Sequence, residues 1–208
     1  MNYSLDLYLK ELLAWNKKFN LTSITDPDDI RRKHFEDSLL LLKALSLTNE
    51  SVVDVGAGAG FPGIPLKIAC QGIKLTLIDS VGKKVEFLKH IIRVLNLKDT
   101  EAAWTRAEDF ARLRREKFDL AVSRAVAGLN VLCEYCLPMV RVGGIFAAYK
   151  EEKIELEIKE AKNALEILGG QLREVKRFPS RSLVIIDKIK ETPPKYPRRT
   201  GVAKKRPL

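Results

Sequence analysis

The stretch Ser51-Val52-Val53-Asp54-Val55-Gly56-Ala57-Gly58-Ala59-Gly60-Phe61-Pro62-Gly63 decides how the rest of the chain reads. An apolar, β-branched segment (Val52, Val53, Val55) runs straight into a glycine-rich turn, and Pro62 is placed to open a helix. Strand, tight turn and helix in that order form a nucleotide-binding unit. Gly56 and Gly58 permit φ values that other residues resist and let the backbone come close to a ligand. The helix start behind them presents unpaired N–H groups to an anionic or polar moiety. The plainer reading is a tight turn and nothing more. Three alternating glycines behind a buried strand are costly without a close ligand, which favours a binding turn.

The spacing narrows the ligand. A dinucleotide fingerprint, G-x-G-x-x-G/A, would need a small third residue at position 61, where this chain has Phe61. No G-K-[ST] follows the glycines, which argues against a P-loop. The pattern present, D-x-G-x-G-x-G with Asp54 leading, resembles motif I of the S-adenosylmethionine (SAM)-dependent methyltransferases.

Outward from the turn, strands and helices alternate. Strands are expected at 52–55, 74–79, 102–105, 118–123 and 144–149, with helices at 62–70, 83–97, 108–113, 129–140 and 154–168. Strands at 171–178 and 182–188, joined by Pro179-Ser180-Arg181, predict an edge hairpin. The expectation is an α/β fold: a doubly wound, mostly parallel, Rossmann-like sheet of seven strands, as in SAM methyltransferases. Before it, helical spacing at Leu5, Leu9, Leu12, Leu13 and Phe19 predicts one helix. Thr25-Asp26-Pro27-Asp28-Asp29 predicts the start of a second, running to about Leu47. Residues 1–50 therefore read as an N-terminal helical cap, 51–190 as the core and 191–208 as a basic, proline-rich tail of the same unit.

Composition agrees. A chain of 208 residues with 46% hydrophobic content suits one such domain. It has no apolar run of about 18 residues and its N-terminus lacks the pattern of a signal peptide. Three cysteines argue against a disulfide framework and for a reducing, cytoplasmic setting. The net charge of +10 favours a polyanionic partner. More than half of it comes from the tail, where Lys195, Arg198, Arg199, Lys204, Lys205 and Arg206 stand without an acid. With Tyr196 and four prolines, the tail reads as unable to build a core and able to wrap a phosphate backbone, ordering on RNA.

Ligands of doubly wound sheets bind beyond the carboxyl ends of the strands. After the second strand lies Asp79-Ser80, an acid able to accept hydrogen bonds from a ribose diol or to cap the next helix. After the third lie Arg106-Ala107-Glu108-Asp109, after the fourth Ser123-Arg124-Ala125, and after the fifth Lys150.

Further blocks sharpen the resemblance: Trp15-Asn16-Lys17-Lys18-Phe19-Asn20-Leu21-Thr22-Ser23, Arg32-Lys33-His34-Phe35-Glu36-Asp37-Ser38, Leu77-Ile78-Asp79-Ser80, Ser123-Arg124-Ala125 and the tail from Lys195. Together with the glycine turn, they make the chain similar, over nearly its whole length, to one family. It is the bacterial small-subunit (16S) ribosomal RNA guanine-N7 methyltransferases, also called glucose-inhibited division protein B. The resemblance implies SAM as cofactor, with contacts at Gly56, Phe61, Ala107, Glu108 and Arg124. Gly58, Asp79 and Ser80 join them from their place beside the turn. One departure is visible: Lys150-Glu151-Glu152 stands where the family usually has a glycine soon after the lysine.

Guanine N7 carries an in-plane lone pair and no proton, so attack on a sulfonium methyl needs neither base nor covalent enzyme intermediate. Positioning would then dominate catalysis. The chain lacks the [DN]-P-P-[YFW] of exocyclic amino-group methylation and the Pro-Cys of pyrimidine C5 chemistry after strand four. Arg124, able to meet a guanine edge, a phosphate or the cofactor carboxylate, and Lys150, able to meet a phosphate, are the positioning candidates. RNA-contact candidates are Arg31, Arg32, Lys33 and His34 on the cap, Arg177 and Arg181 at the hairpin, and the six tail cations. His34 and Asp37, three apart on a helix face, could equally brace the cap. Cys133-Glu134-Tyr135-Cys136 has no second ligand pair, so no metal is expected. The expected partner is 16S RNA or the small-subunit particle, with no membrane contact and a monomeric enzyme. An NAD-binding oxidoreductase, a nucleic-acid-binding module with a vestigial pocket, and a methyltransferase acting on another RNA, a protein or a small molecule are the competing readings.

Overall fold

A computed structural model describes residues 3–124 and 126–208. Ala125, which closes the Ser-Arg-Ala motif, lies outside the described residues. Seven strands form one sheet in the order β3-β2-β1-β4-β5-β7-β6. They are β1 (Ser51–Val55), β2 (Lys74–Asp79), β3 (Thr100–Trp104), β4 (Phe118–Arg124), β5 (Val140–Lys150), β6 (Gly170–Phe178) and β7 (Arg181–Lys188). β1 to β5 pair in parallel. β7 returns antiparallel against β5 and carries β6 at the edge, the expected hairpin. Chain order reverses between β1 and β4, so the first crossover and the later ones leave on opposite faces and open a crevice at that point.

Alternation along the strands feeds both faces. Val52, Leu75, Leu77 and Leu120 join one buried cluster, and Val53, Val55, Ile78 and Ala121 the other. The helices are α1 (Tyr3–Asn16), α2 (Pro27–Ile30), α3 (Gly63–Ala69), α4 (Gly82–Val94), α5 (Ala107–Leu113), α6 (Leu129–Cys136), α7 (Glu155–Glu160), α8 (Lys162–Leu168) and α9 (Val202–Lys205). α3 and α4 cover the first face and the cap packs there with them, since Tyr8, Leu12, Ile30, Phe35 and Leu41 share a cluster with Ile64, Leu66 and Phe87. α5, α6 and α8 cover the second face.

Several helices differ from the sequence reading. The one expected at 129–140 is α6 as far as Cys136 and then a 3-10 turn, Leu137–Met139, with β5 beginning at Val140. The helix after the glycine turn starts at Gly63, one residue beyond Pro62. The second cap helix starts as expected, with Asp26 Oδ1 accepting from Asp29 N at 2.9 Å and Pro27 in the first turn. It then widens to a π-helical stretch, Arg31–Glu36, and tightens to a 3-10 stretch, Leu39–Lys43. The π stretch holds Phe35 in the core and His34 on the cleft side. The charged helix expected at 154–168 is two helices, α7 and α8, meeting at Ala161.

The tail differs most. It lies on the second face, with Tyr196 and Ala203 buried. Arg198 grips Glu134, which is only 1% exposed: its Nε donates to Oε1 at 2.9 Å and its Nη2 to Oε2 at 2.5 Å. Arg115 donates to the carbonyls of Tyr196 and Thr192. Gly201 N donates to Glu108 Oε1 at 2.8 Å. The expected RNA-dependent ordering thus gives way to a packed strap, because a buried acid on α6 and Arg115 supply partners that tail composition alone cannot reveal.

Candidate functional site

Parallel pairing puts the ends of β1, β2, β3 and β4 along one rim. The glycine turn is held there by backbone hydrogen bonds and by two carboxylates. Gly56 N and Ala57 N donate to Ile78 O at 2.9 and 3.0 Å. Gly58 N donates to Asp79 Oδ2 at 2.9 Å, while Val81 N donates to Asp79 Oδ1 at the same distance. Asp79 therefore ties the turn to the start of α4, and each oxygen keeps accepting capacity for a further donor. Gly56 and Gly58 have φ of +73° and +60°, the left-handed region. A Cβ added at Gly58 would meet nothing nearer than Gly56 O at 3.9 Å, so the space beside it is open.

Beneath the turn, Asp54 Oδ2 accepts from Gly63 N at 2.8 Å. Its Oδ1 is buried without a hydrogen-bond partner among the described residues. Burial pushes the Asp54 carboxyl up to about 7, against the pull of that hydrogen bond and of Arg124.

Two cavities flank the turn. The first, about 300 Å³, is lined by Gly56, Asp79, Ser80, Ala107, Glu108 and Lys204, with Tyr135 from α6. The second, about 530 Å³, is lined by Gly56, Gly58, Phe61, His34, Arg124 and Arg181, among others. Gly56 and Lys84 line both, so they adjoin. The expected residues thus divide: Gly56, Asp79, Ser80, Ala107 and Glu108 gather in the first, and Gly58, Phe61 and Arg124 beside Gly56 in the second. A nucleoside with a short charged chain suits this shape. The first cavity offers carboxylate acceptors, and the glycine backbone leaves a passage into the second.

The second cavity is walled by cations held in a buried network. Arg124, at the end of β4, is 8% exposed; its Nη1 donates to Asp37 Oδ2 at 2.8 Å. Arg181 Nε donates to the other oxygen of Asp37. The Arg124 guanidinium lies 4.9 Å from the Phe61 ring centroid, and His34 stacks on the same ring at 4.6 Å. His34 Nε2 lies 2.8 Å from Thr22 Oγ1. Burial, reinforced by the Arg124 charge, lowers His34 to about 4, so the ring is neutral at pH 7. The described residues lining this cavity include no carboxylate.

Several candidates sit in other surroundings than expected. Lys150 is buried; its Nζ donates to Ala127 O at 2.8 Å and pairs with Glu157 at 2.6 Å. It braces the loop after β4, with its ammonium already paired. Arg31 pairs with Asp6, Arg32 and Lys33 with Asp29, Arg177 with Glu155. Exposed pairs of this kind are weak and can exchange for phosphate. Arg198 is committed to Glu134. Sequence reasoning missed Asp37 as the hub of the network, since its partners lie 87 and 144 residues away. It also missed Tyr135 and Lys84; only the place of Lys84 just after Asp79 hinted at its role.

The fold agrees with what the chain is similar to. A family model described as rRNA small subunit methyltransferase G matches residues 1–184. Ribosomal RNA small subunit methyltransferase G of Alkaliphilus metalliredigens is 47% identical, covering 97% of this chain and 88% of the relative. The protein of the same name from Moorella thermoacetica is 48% identical, covering 98% and 89%. Among solved structures, M. jannaschii TYW2 in complex with AdoMet superposes with a TM-score of 0.56 at 19% identity, covering 73% of this chain and 74% of that one. A T. thermophilus 16S rRNA N2 methyltransferase in complex with AdoMet and guanosine gives 0.54 at 19%, covering 76% and 40%. At such identity these two share the fold, and it is the near full-length relatives that place the sequence: the chain belongs to the rRNA small subunit methyltransferase G family.

Proposed function

We propose that this enzyme transfers the methyl group of SAM to N7 of a guanine in 16S ribosomal RNA. The observation that carries the N7 assignment is the lining of the second cavity: guanidinium, ammonium and hydroxyl groups and a neutral imidazole, with the acids bordering it, Asp37, Asp29 and Asp79, each already accepting from its own donors. Guanine presents N7 and O6, both acceptors, on its Hoogsteen edge. A donor-rich wall suits that edge and needs no base, because N7 has no proton to lose. The oxidoreductase reading falls with the family assignment.

When bound, SAM supplies an electrophilic methyl on a sulfonium. Asp79 and Ser80 are placed to hold the ribose, Ala107 and Glu108 the adenine edge, and Gly56, Gly58 and Phe61 the passage between the cavities. Arg124, fixed by Asp37 and Phe61, is placed to donate to the guanine edge or to the cofactor carboxylate. It orients rather than moves a proton. Lys150 acts at one remove, by holding the loop after β4. The aromatic wall of Phe61 and His34 keeps water from the reacting atoms.

The enzyme works as a monomer in the cytoplasm, on 16S RNA or the small-subunit particle. Among the described residues no helix is long and apolar enough to cross a membrane, and no three His, Cys, Asp or Glu side chains are gathered as metal ligands. Calorimetric titration with SAM tests the cofactor half. Micromolar binding to the wild type, weakened at least tenfold by Asp79→Ala, supports the assignment. Binding of NAD and not of SAM overturns it.

A further inference from the structure

Many cations expected to meet RNA are paired with acids, while other, unpaired cations gather at a different rim. Where β2 and β3 end, Trp104 stands 71% exposed. Its Nε1 donates to Ser80 O at 3.0 Å. The indole lies over Gly82, where an added Cβ would come within 3.5 Å of the ring. The ring is thus fixed in orientation with its other face open to solvent. One surface hollow joins Trp104 to Val81, Lys83 and Lys89. The next holds Lys18, Lys83 and Lys84. Lys84 lines both cavities of the site, so the lip is continuous with them. Lys83 Nζ is held 5.2 Å from the Phe19 ring centroid. Among the described residues none of these four lysines is in an ion pair. Among the described residues Glu86 is the one acid lining these two hollows.

We propose that this lip is a track for a single-stranded segment of the substrate RNA, with one unstacked base lying on Trp104 and its phosphates on the lysines. The proposal rests on the RNA-methyltransferase reading and deepens it. A flat aromatic face standing among unpaired cations matches the way unpaired nucleotides are bound, by stacking on a ring and by cations along the backbone. The charge complementarity and the continuity with the site favour the RNA being modified as the occupant.

The test is the KM for small-subunit RNA in methyl transfer, its salt dependence, and SAM affinity by calorimetry. Trp104→Ala, Trp104→Phe and Lys83→Gln/Lys89→Gln are compared with Arg173→Gln, on the opposite edge strand. Stacking of one base is worth about 1–3 kcal/mol, or about 5- to 150-fold. Trp104→Ala is therefore expected to raise the RNA KM about tenfold or more with SAM affinity unchanged. Trp104→Phe, which keeps a ring but loses the bond to Ser80, recovers most of that. The lysine pair lowers the slope of log affinity against log salt by about 1.4, at about 0.7 per phosphate. Lip variants indistinguishable from Arg173→Gln in active enzyme overturn the proposal and leave the function standing. So does a loss of SAM affinity with unchanged RNA KM. A wild type that moves no methyl to RNA removes the function itself.

Discussion

Replacing Asp37 with alanine should cost more than any surface substitution in the cap. Asp37 is 7% exposed and accepts hydrogen bonds from two guanidiniums, one of them 8% exposed. Alanine removes the shared counter-charge and leaves Arg124 and Arg181 facing each other, one in the interior and one at its margin. Breaking a buried pair by deleting one partner costs about 3–5 kcal/mol, whereas an exposed pair is worth about 0–1 kcal/mol. At about 2–4 °C per kcal/mol for a chain of this size, the expected fall in Tm is about 6–20 °C. Urea unfolding at pH 7 of wild type, Asp37→Ala, Arg124→Met and the double variant forms the cycle. Arg124→Met should cost less than Asp37→Ala, because Asp37 keeps Arg181. The double variant should recover at least about 1 kcal/mol relative to the sum of the singles, well beyond the about 0.5 kcal/mol expected of independent sites. A loss below about 1 kcal/mol for Asp37→Ala, or strict additivity, would refute the view that a buried network holds the cap to the end of β4.

Gly58→Ala should fold, since its Cβ meets only open space; the left-handed φ costs about 1 kcal/mol, while SAM affinity measured by calorimetry falls tenfold or more as the methyl enters the passage. Asp54→Asn tests the buried carboxyl raised to about 7. Between an ordinary value near 4 and about 7, the folded state keeps a proton that the unfolded chain releases, so wild-type stability falls as pH rises through that window. The asparagine variant should therefore gain on the wild type from pH 4 to 7.5, by up to about 4 kcal/mol, and a flat difference in urea midpoints would show that burial does not shift Asp54. Arg198→Ala strips a buried acid of its guanidinium partner; limited trypsin digestion should cut the tail at Lys204 and Lys205 at least tenfold faster than in wild type, with weaker SAM binding because Lys204 lines the first cavity.

Much of the fold was written locally. Period-two apolar runs, helix starts such as Asp26-Pro27, and the glycine turn each depend on residues a few positions apart, so β1 to β7 and the edge hairpin were legible in the sequence. The Asp79 position was legible too, as either a ligand acceptor or a cap; in the structure it ties the glycine turn to the start of α4. Hidden from the sequence was every feature set by long-range pairing of charges. Asp37 finds Arg124, Arg198 finds Glu134 and Lys150 finds Glu157 only after the chain has folded. A basic stretch looks the same whether its partners are phosphates or buried acids, which is why the tail read as an RNA arm and is a strap. Trp104 passed unnoticed because its exposure follows from β3 being the edge strand.

The most direct test of the account is the chemistry of the product. Unmethylated small-subunit RNA is incubated with the protein and SAM bearing a labelled methyl, and the RNA is then reduced with borohydride and treated with aniline, which breaks the chain at 7-methylguanosine. The account predicts label in the RNA and a strand break at a guanosine, both absent without enzyme. Label that resists this cleavage, residing on an exocyclic amine or a ribose, or no label at all in RNA that the protein binds together with SAM, would contradict it.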